Sequence, residues 1–438
     1  MVLIPHAIRR SSYTVPLVAA VGLVSFSAAA DIERPPINYT TAPVDNCVSR
    51  LERRIESGQT RLAFEEPFGY LPSLLRELEI APSSQMLVFS KTSFQRQRIS
   101  PEKPRAVYFN DEAYIGYCQR GNVVEVTAVD PQLGAVFYTL EQKAADRPRF
   151  VRQNDSCLIC HASSANQGFP GHLVRSVYAD ADGQPVLSLG SHRINQCSPL
   201  SERWGGWYVT GASGKQAHLG NLIVNEERQP DRIDNTAGLN VTDLSRRFAT
   251  SKYLSPHSDI VTLMVFEHQT EMQNLIARAN FLAKLALYEE ADLNKAMGRP
   301  LGQRSESTTR RLKNAAEPLV QYMLFSGESP LTEAVHGSSA FAAEFEQRGP
   351  RDGQGRSLRA LDLQRRLFKH PCSYLIYSPA FNDLPEPVKD VVWRRLWDVL
   401  VGGDSSKEFI HLTSEDRRAI REILSATHPA LPAFWKSN

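Results

Sequence analysis

The segment Asn154-Asp155-Ser156-Cys157-Leu158-Ile159-Cys160-His161 sets two thiols three positions apart, with an imidazole directly after the second. On one helical turn two sulfurs so spaced lie on the same side and can reach the two vinyl groups of one haem. His161 then carries a ring nitrogen to a position under the iron. C-x-x-C-H in this order is the attachment pattern of a covalent haem c. The competing chemistry for C-x-x-C is a thiol–disulfide redox pair, which belongs after a strand in a βαβ unit. The residues before Cys157 show no such unit. The expected cofactor is therefore one haem c with its iron, bound by Cys157, Cys160 and His161.

Through these three residues the chain resembles the c-type cytochromes, over a few tens of residues. The tract Arg203-Trp204-Gly205-Gly206-Trp207-Tyr208 is similar to segments of large monohaem cytochrome proteins of bacteria. The resemblance implies the cofactor and an exported location, and it leaves the reaction open. One departure is clear. Small cytochromes of this family bring a methionine to the iron from a downstream loop, but no methionine lies between His161 and Met264.

The second axial position must then come from elsewhere, and His172, His192, His218, His257 and His268 are the histidines to weigh. His268 is the metal-ligand candidate. Met264 precedes it by four residues and Met272 follows by four, which puts all three on one helix face. An imidazole among apolar neighbours needs a polar partner, and iron is one; a carbonyl hydrogen bond in the core is the other. A helix from about His257 to Leu287 is expected to cover the open face of the haem, with His268 nearest the iron. His172 is next, because the turn Gly168-Phe169-Pro170-Gly171 can fold it back toward the motif.

The elements around these residues follow from hydrophobic period. Leu51, Ile55 and Leu62, then Leu71, Leu74, Leu75 and Leu78, predict helices within 43–80. Short apolar runs within 85–140, separated by Asn110-Asp111, Gly121-Asn122 and Asp130-Pro131, predict antiparallel strands. Two hairpins are expected after the motif, 174–178 with 186–189 and 207–210 with 219–224. From Pro256 the pattern turns helical, with an exposed linker or a helix cap at 302–311, a loop at 348–357 and a final amphipathic helix over 385–402. The fold class is α+β: a helical N-terminal segment, a β-rich middle region with the haem-attachment motif, and a mainly helical C-terminal half. The domains are a signal peptide over 1–30, an α+β region carrying the haem over 31–250, and a mainly helical region over 251–438.

The N-terminus predicts the compartment. Arg9 and Arg10, an apolar run from Val15 to Phe26 and the small residues Ala28 and Ala30 have the order of a cleaved signal peptide. Cleavage near Ala30 would leave a periplasmic or secreted protein. The formal charge of +2 owes two positive charges to Arg9 and Arg10, so the mature chain is near zero, 2 − 2 = 0. Nucleic-acid binding, which favours a markedly basic chain, is not expected, and neither is a transmembrane segment in the mature protein. Beyond the motif, Cys47, Cys118, Cys197 and Cys372 remain. Their even number in an exported chain predicts at least one disulfide, against a reading as buried free thiols.

Three functions compete. Electron transfer with a redox partner protein demands least beyond the haem. A haem enzyme of peroxidase or oxygenase type, acting on a small-molecule oxidant, needs an open or switchable iron site. A haem-based sensor or docking protein is the third.

Overall fold

The computed structural model describes residues 32–224, 233–404 and 406–435. The expected signal peptide at 1–30 lies outside the described residues.

Helix α1 (Cys47–Glu56) starts where its first amides find a partner. Asn46 Oδ1 accepts from the Val48 and Ser49 amides at 3.1 Å each, and Ser49 Oγ accepts from the Asn46 amide. The helix ends before Leu62, which is buried from a loop instead. Helix α2 (Leu71–Glu77) follows.

Seven strands then form one antiparallel sheet in the order β6-β5-β4-β3-β2-β1-β9. They are β1 (Met86–Val88), β2 (Arg105–Phe109), β3 (Ala113–Tyr117), β4 (Val123–Asp130), β5 (Gly134–Glu141), β6 (Phe150–Arg152) and β9 (Trp207–Tyr208). The turns use short polar side chains in place of backbone partners. Asn110 Oδ1 accepts from the Glu112 and Ala113 amides, and Asp130 Oδ1 from those of Gln132 and Leu133.

Alternation along the strands divides the sheet between two cores. One face presents Leu87, Tyr108, Ile115, Val126 and Val136 to α1 and α2. The other presents Met86, Val107, Phe109 and Tyr114 to the C-terminal half. Because both faces are covered, β3 and β5 are buried along almost their whole length. The second core runs without a break from β1, β2 and β9 into the C-terminal helices, so residue 250 marks a change in element type within one continuous core.

The C-terminal half is organised by α4 (Ile260–Ala296), a helix of 37 residues capped by Asp259. Around it lie α5 (Glu306–Met323), α6 (Phe341–Gln347), α7 (Pro379–Asn382), α8 (Glu386–Leu400) and α9 (Ser414–Thr427). No helix among the described residues is long and apolar enough to cross a membrane. The α+β class holds.

Four expectations need correction. The turn of the first predicted hairpin forms, with Ala179 bridged to Pro185 and the Val186 amide donating to Tyr178 O, but the ladder beyond it differs: β7 (Arg175–Val177) pairs with β8 (Ser191–Arg193), while Leu187–Leu189 forms a 3-10 turn. The second does not form. Trp207–Tyr208 adds to the open edge of β1, and Gly206 O accepts from the Phe89 and Ser90 amides, so that edge outcompetes residues 219–224. Helix α8 is not the last, since α9 follows and packs on it. The expected disulfide is also absent, since no two of the six cysteines are bonded to each other.

Candidate functional site

The C-x-x-C-H segment leaves the edge strand β6 and turns once as α3 (Leu158–His161). The His161 amide donates to Cys157 O at 2.9 Å, so the thiols sit one helical turn apart. Cys157 is half-buried, Cys160 is exposed, and Ile159 between them is 77% exposed. Among the described residues no three His, Cys, Asp or Glu side chains converge as a metal-ion cluster, Cys157, Cys160 and His161 included. Burial and the nearby Glu125 push the Cys157 thiol up to about 11. A thiol–disulfide catalyst needs the opposite shift.

His161 is held by the loop that follows. Its carbonyl accepts from the Gly171 amide at 3.0 Å and from Asn166 Nδ2 at 2.9 Å. Its Nδ1 lies 2.9 Å from Gly171 O. A carbonyl can only accept, so Nδ1 carries the proton and Nε2 keeps its lone pair. Burial, with a smaller contribution from Arg105, lowers the pKa of this imidazole and favours the neutral form. The ring lies against Phe137 of β5, with centroids 4.6 Å apart.

Gly171 allows the loop to approach α4: a Cβ there would stand 2.4 Å from Asn274 Oδ1. The next residue, His172, is buried, and its ring lies 4.3 Å from that of Tyr114 on β3. Neither ring nitrogen of His172 has a hydrogen-bond partner. Tyr114 pairs with Thr127, and Thr127 with Phe137, so the two imidazoles rest on one row of one sheet face. Thr127 and Glu125 are half-buried, while Val124, Val126 and Ala128 between and beside them are buried. Beside that row Arg105 reaches across β3 to Glu125 at 2.6 Å, over Gly116, where a Cβ would meet the guanidinium at 2.0 Å.

The expectation for His268 is not met. Helix α4 does lie against the 166–172 loop, but it presents Asn274 there and not His268. The stripe of Met264, His268 and Met272 faces the C-terminal core. His268 Nδ1 is 2.6 Å from Gln196 Oε1 and Nε2 is 2.8 Å from Ser373 Oγ, with the ring stacked on Phe325 at 4.6 Å. Both nitrogens are engaged, so none is left for iron. The serine–histidine–amide chain has the contacts of an activated nucleophile. However, Ser373 and His268 are 0% exposed and Gln196 2%, so no substrate reaches it. It is a hydrogen-bonded core histidine.

The other candidate histidines have these surroundings. His192 pairs with Glu202 near the surface, and His218 packs on Trp204 and accepts from the Gly220 amide. His257 is half-buried just before α4. The Trp-Gly tract is structural: Trp204 is fully buried, Trp207 Nε1 donates to Arg175 O, and Arg203 pairs with the buried Glu267. The sequence signal for His172 is the Gly-Phe-Pro-Gly turn. Nothing local in the sequence points to Tyr114, Phe137 or Asn274.

No family model, no curated protein and no solved structure matches this chain.

Proposed function

We propose that this protein is an exported monohaem c-type cytochrome that transfers electrons to or from a redox partner protein. The supporting observation is the state of His161. Its Nδ1 proton is committed to Gly171 O, which leaves Nε2 as a lone-pair donor beside two thiols one turn apart. A histidine ligand oriented by a backbone carbonyl through its other nitrogen is the usual arrangement at a bound metal.

The residues present fit the group. Cys157 and Cys160 would each add S–H across a vinyl C=C, the sulfur going to one carbon and the proton to the other, with no oxidant or reductant consumed. His161 Nε2 would bind the iron. When bound, the haem supplies a one-electron couple between ferrous and ferric iron. Phe137 packs the His161 ring and restrains its rotation. Arg105 and Glu125 are the ionised neighbours whose charges reach Cys157 and His161. Exposed Ile159 and Cys160 lie on the side from which a partner protein would approach.

Denaturing electrophoresis followed by haem staining tests the proposal. The wild-type band should stain after acid-acetone extraction, and Cys157→Ala with Cys160→Ala should not. A haem that extracts freely from wild type would overturn it.

A further inference from the structure

A buried imidazole ordinarily has a partner for at least one ring nitrogen, because an unpaired buried polar atom costs about 1–3 kcal/mol. His268, His218 and His428 obey this rule. His172 does not: it is 8% exposed, and neither nitrogen is satisfied. Its position is nevertheless tightly specified. Asn274 Oδ1 accepts from the His172 amide at 2.7 Å, and Asn274 Nδ2 donates to its carbonyl at 2.9 Å. Tyr114, against which the ring lies, is itself fixed by Gln269 and Gln273 of α4. A side chain held this firmly, with both ring nitrogens unengaged, is free to take a ligand.

The neighbourhood identifies the ligand's chemistry. His172 follows directly on Gly171, whose carbonyl orients His161. The two rings rest on the ends of the row Tyr114, Thr127 and Phe137. The aromatic residues Tyr114 and Phe137 flank a half-buried threonine.

Building on the haem assignment above, we propose that His172 supplies the second axial nitrogen to the iron held by His161. The coordination is then bis-histidine, with a ring nitrogen of His172 donating its lone pair and no change in electron count. This ligation would satisfy the orphaned ring and account for the absence of a methionine ligand. It would also close the iron to small oxidants, which favours electron transfer over a peroxidase-like role.

The holoprotein is tested by absorption spectroscopy, oxidised and reduced, with and without carbon monoxide. Wild type should be low-spin in both states and bind no carbon monoxide. His172→Ala should keep the covalent haem stain, become high-spin and bind carbon monoxide stoichiometrically, and added imidazole should restore the low-spin spectrum. His172→Met keeps a large side chain with an iron-binding atom. It should remain low-spin with a raised reduction potential, since methionine ligation raises it. A stained His172→Ala protein that stays low-spin and refuses carbon monoxide would overturn the ligand assignment and leave the haem assignment standing. So would a His172→Met protein with wild-type potential, or a wild-type protein that is already high-spin. A wild-type chain without covalent haem would overturn both.

Discussion

The Asn274 side chain grips His172 from both sides of its backbone, accepting from its amide at 2.7 Å and donating to its carbonyl at 2.9 Å. A residue of the long helix thereby fixes a loop residue 102 positions away in the chain. Replacing Asn274 with Ala removes both bonds, each worth about 1 kcal/mol. The urea midpoint should fall by the equivalent of about 2 kcal/mol. The oxidised spectrum should become a mixture of low- and high-spin forms. A stability loss with an unmixed spectrum would show that the grip positions the loop but not the ring.

Gly116 is needed because the Arg105 side chain lies over it on the way to Glu125. Gly116→Val should displace the guanidinium and break the pair. Arg105→Met and Gly116→Val should then be less than additive in a double-mutant cycle, with a coupling of about 1 kcal/mol. Full additivity in chemical denaturation would mean that the arginine simply moves aside and keeps its partner.

Acid should destabilise the fold through its buried histidines. Burial pushes His268 down to about 3 and His218 down to about 4, whereas an unfolded histidine titrates near about 6.5. The folded state therefore binds fewer protons than the unfolded state below about 6.5. The stabilisation is complete above that value and is lost as pH falls through it toward the folded pKa. Each histidine contributes a slope of up to about 1.4 kcal/mol per pH unit in that window. Between pH 7 and pH 5 the His268→Asn protein should lose less of its urea resistance than wild type. Equal losses would remove His268 as a source of the acid sensitivity.

Four thiols should be free. Cys197 is exposed, Cys47 is half-buried, and Cys118 and Cys372 are buried, with burial pushing the thiol of Cys372 up to about 12. Alkylation of the native, unreduced protein should label Cys197 first, and unfolding should be required to label Cys118 and Cys372. A protein that takes up two alkyl groups too few per pair after alkylation in denaturant without reductant would reveal a disulfide instead.

What the sequence determines alone is whatever depends on local spacing. Cys157, Cys160 and His161 are legible because one helical turn sets the distances among them. The antiparallel strands between Met86 and Glu141 are legible because Asn110, Asp130 and their neighbours make short turns between apolar runs. The stripe of Met264, His268 and Met272 is legible as a buried helix face, but period reports burial and not what lies opposite. Tertiary structure turned that face toward Gln196, Ser373 and Phe325, and occupied both nitrogens of His268. It also brought Tyr114, Phe137, His161, His172 and Asn274 together from two strands, a loop and a helix. These contacts depend on sheet register and on the approach of Gly171 to the long helix, and no local pattern encodes either.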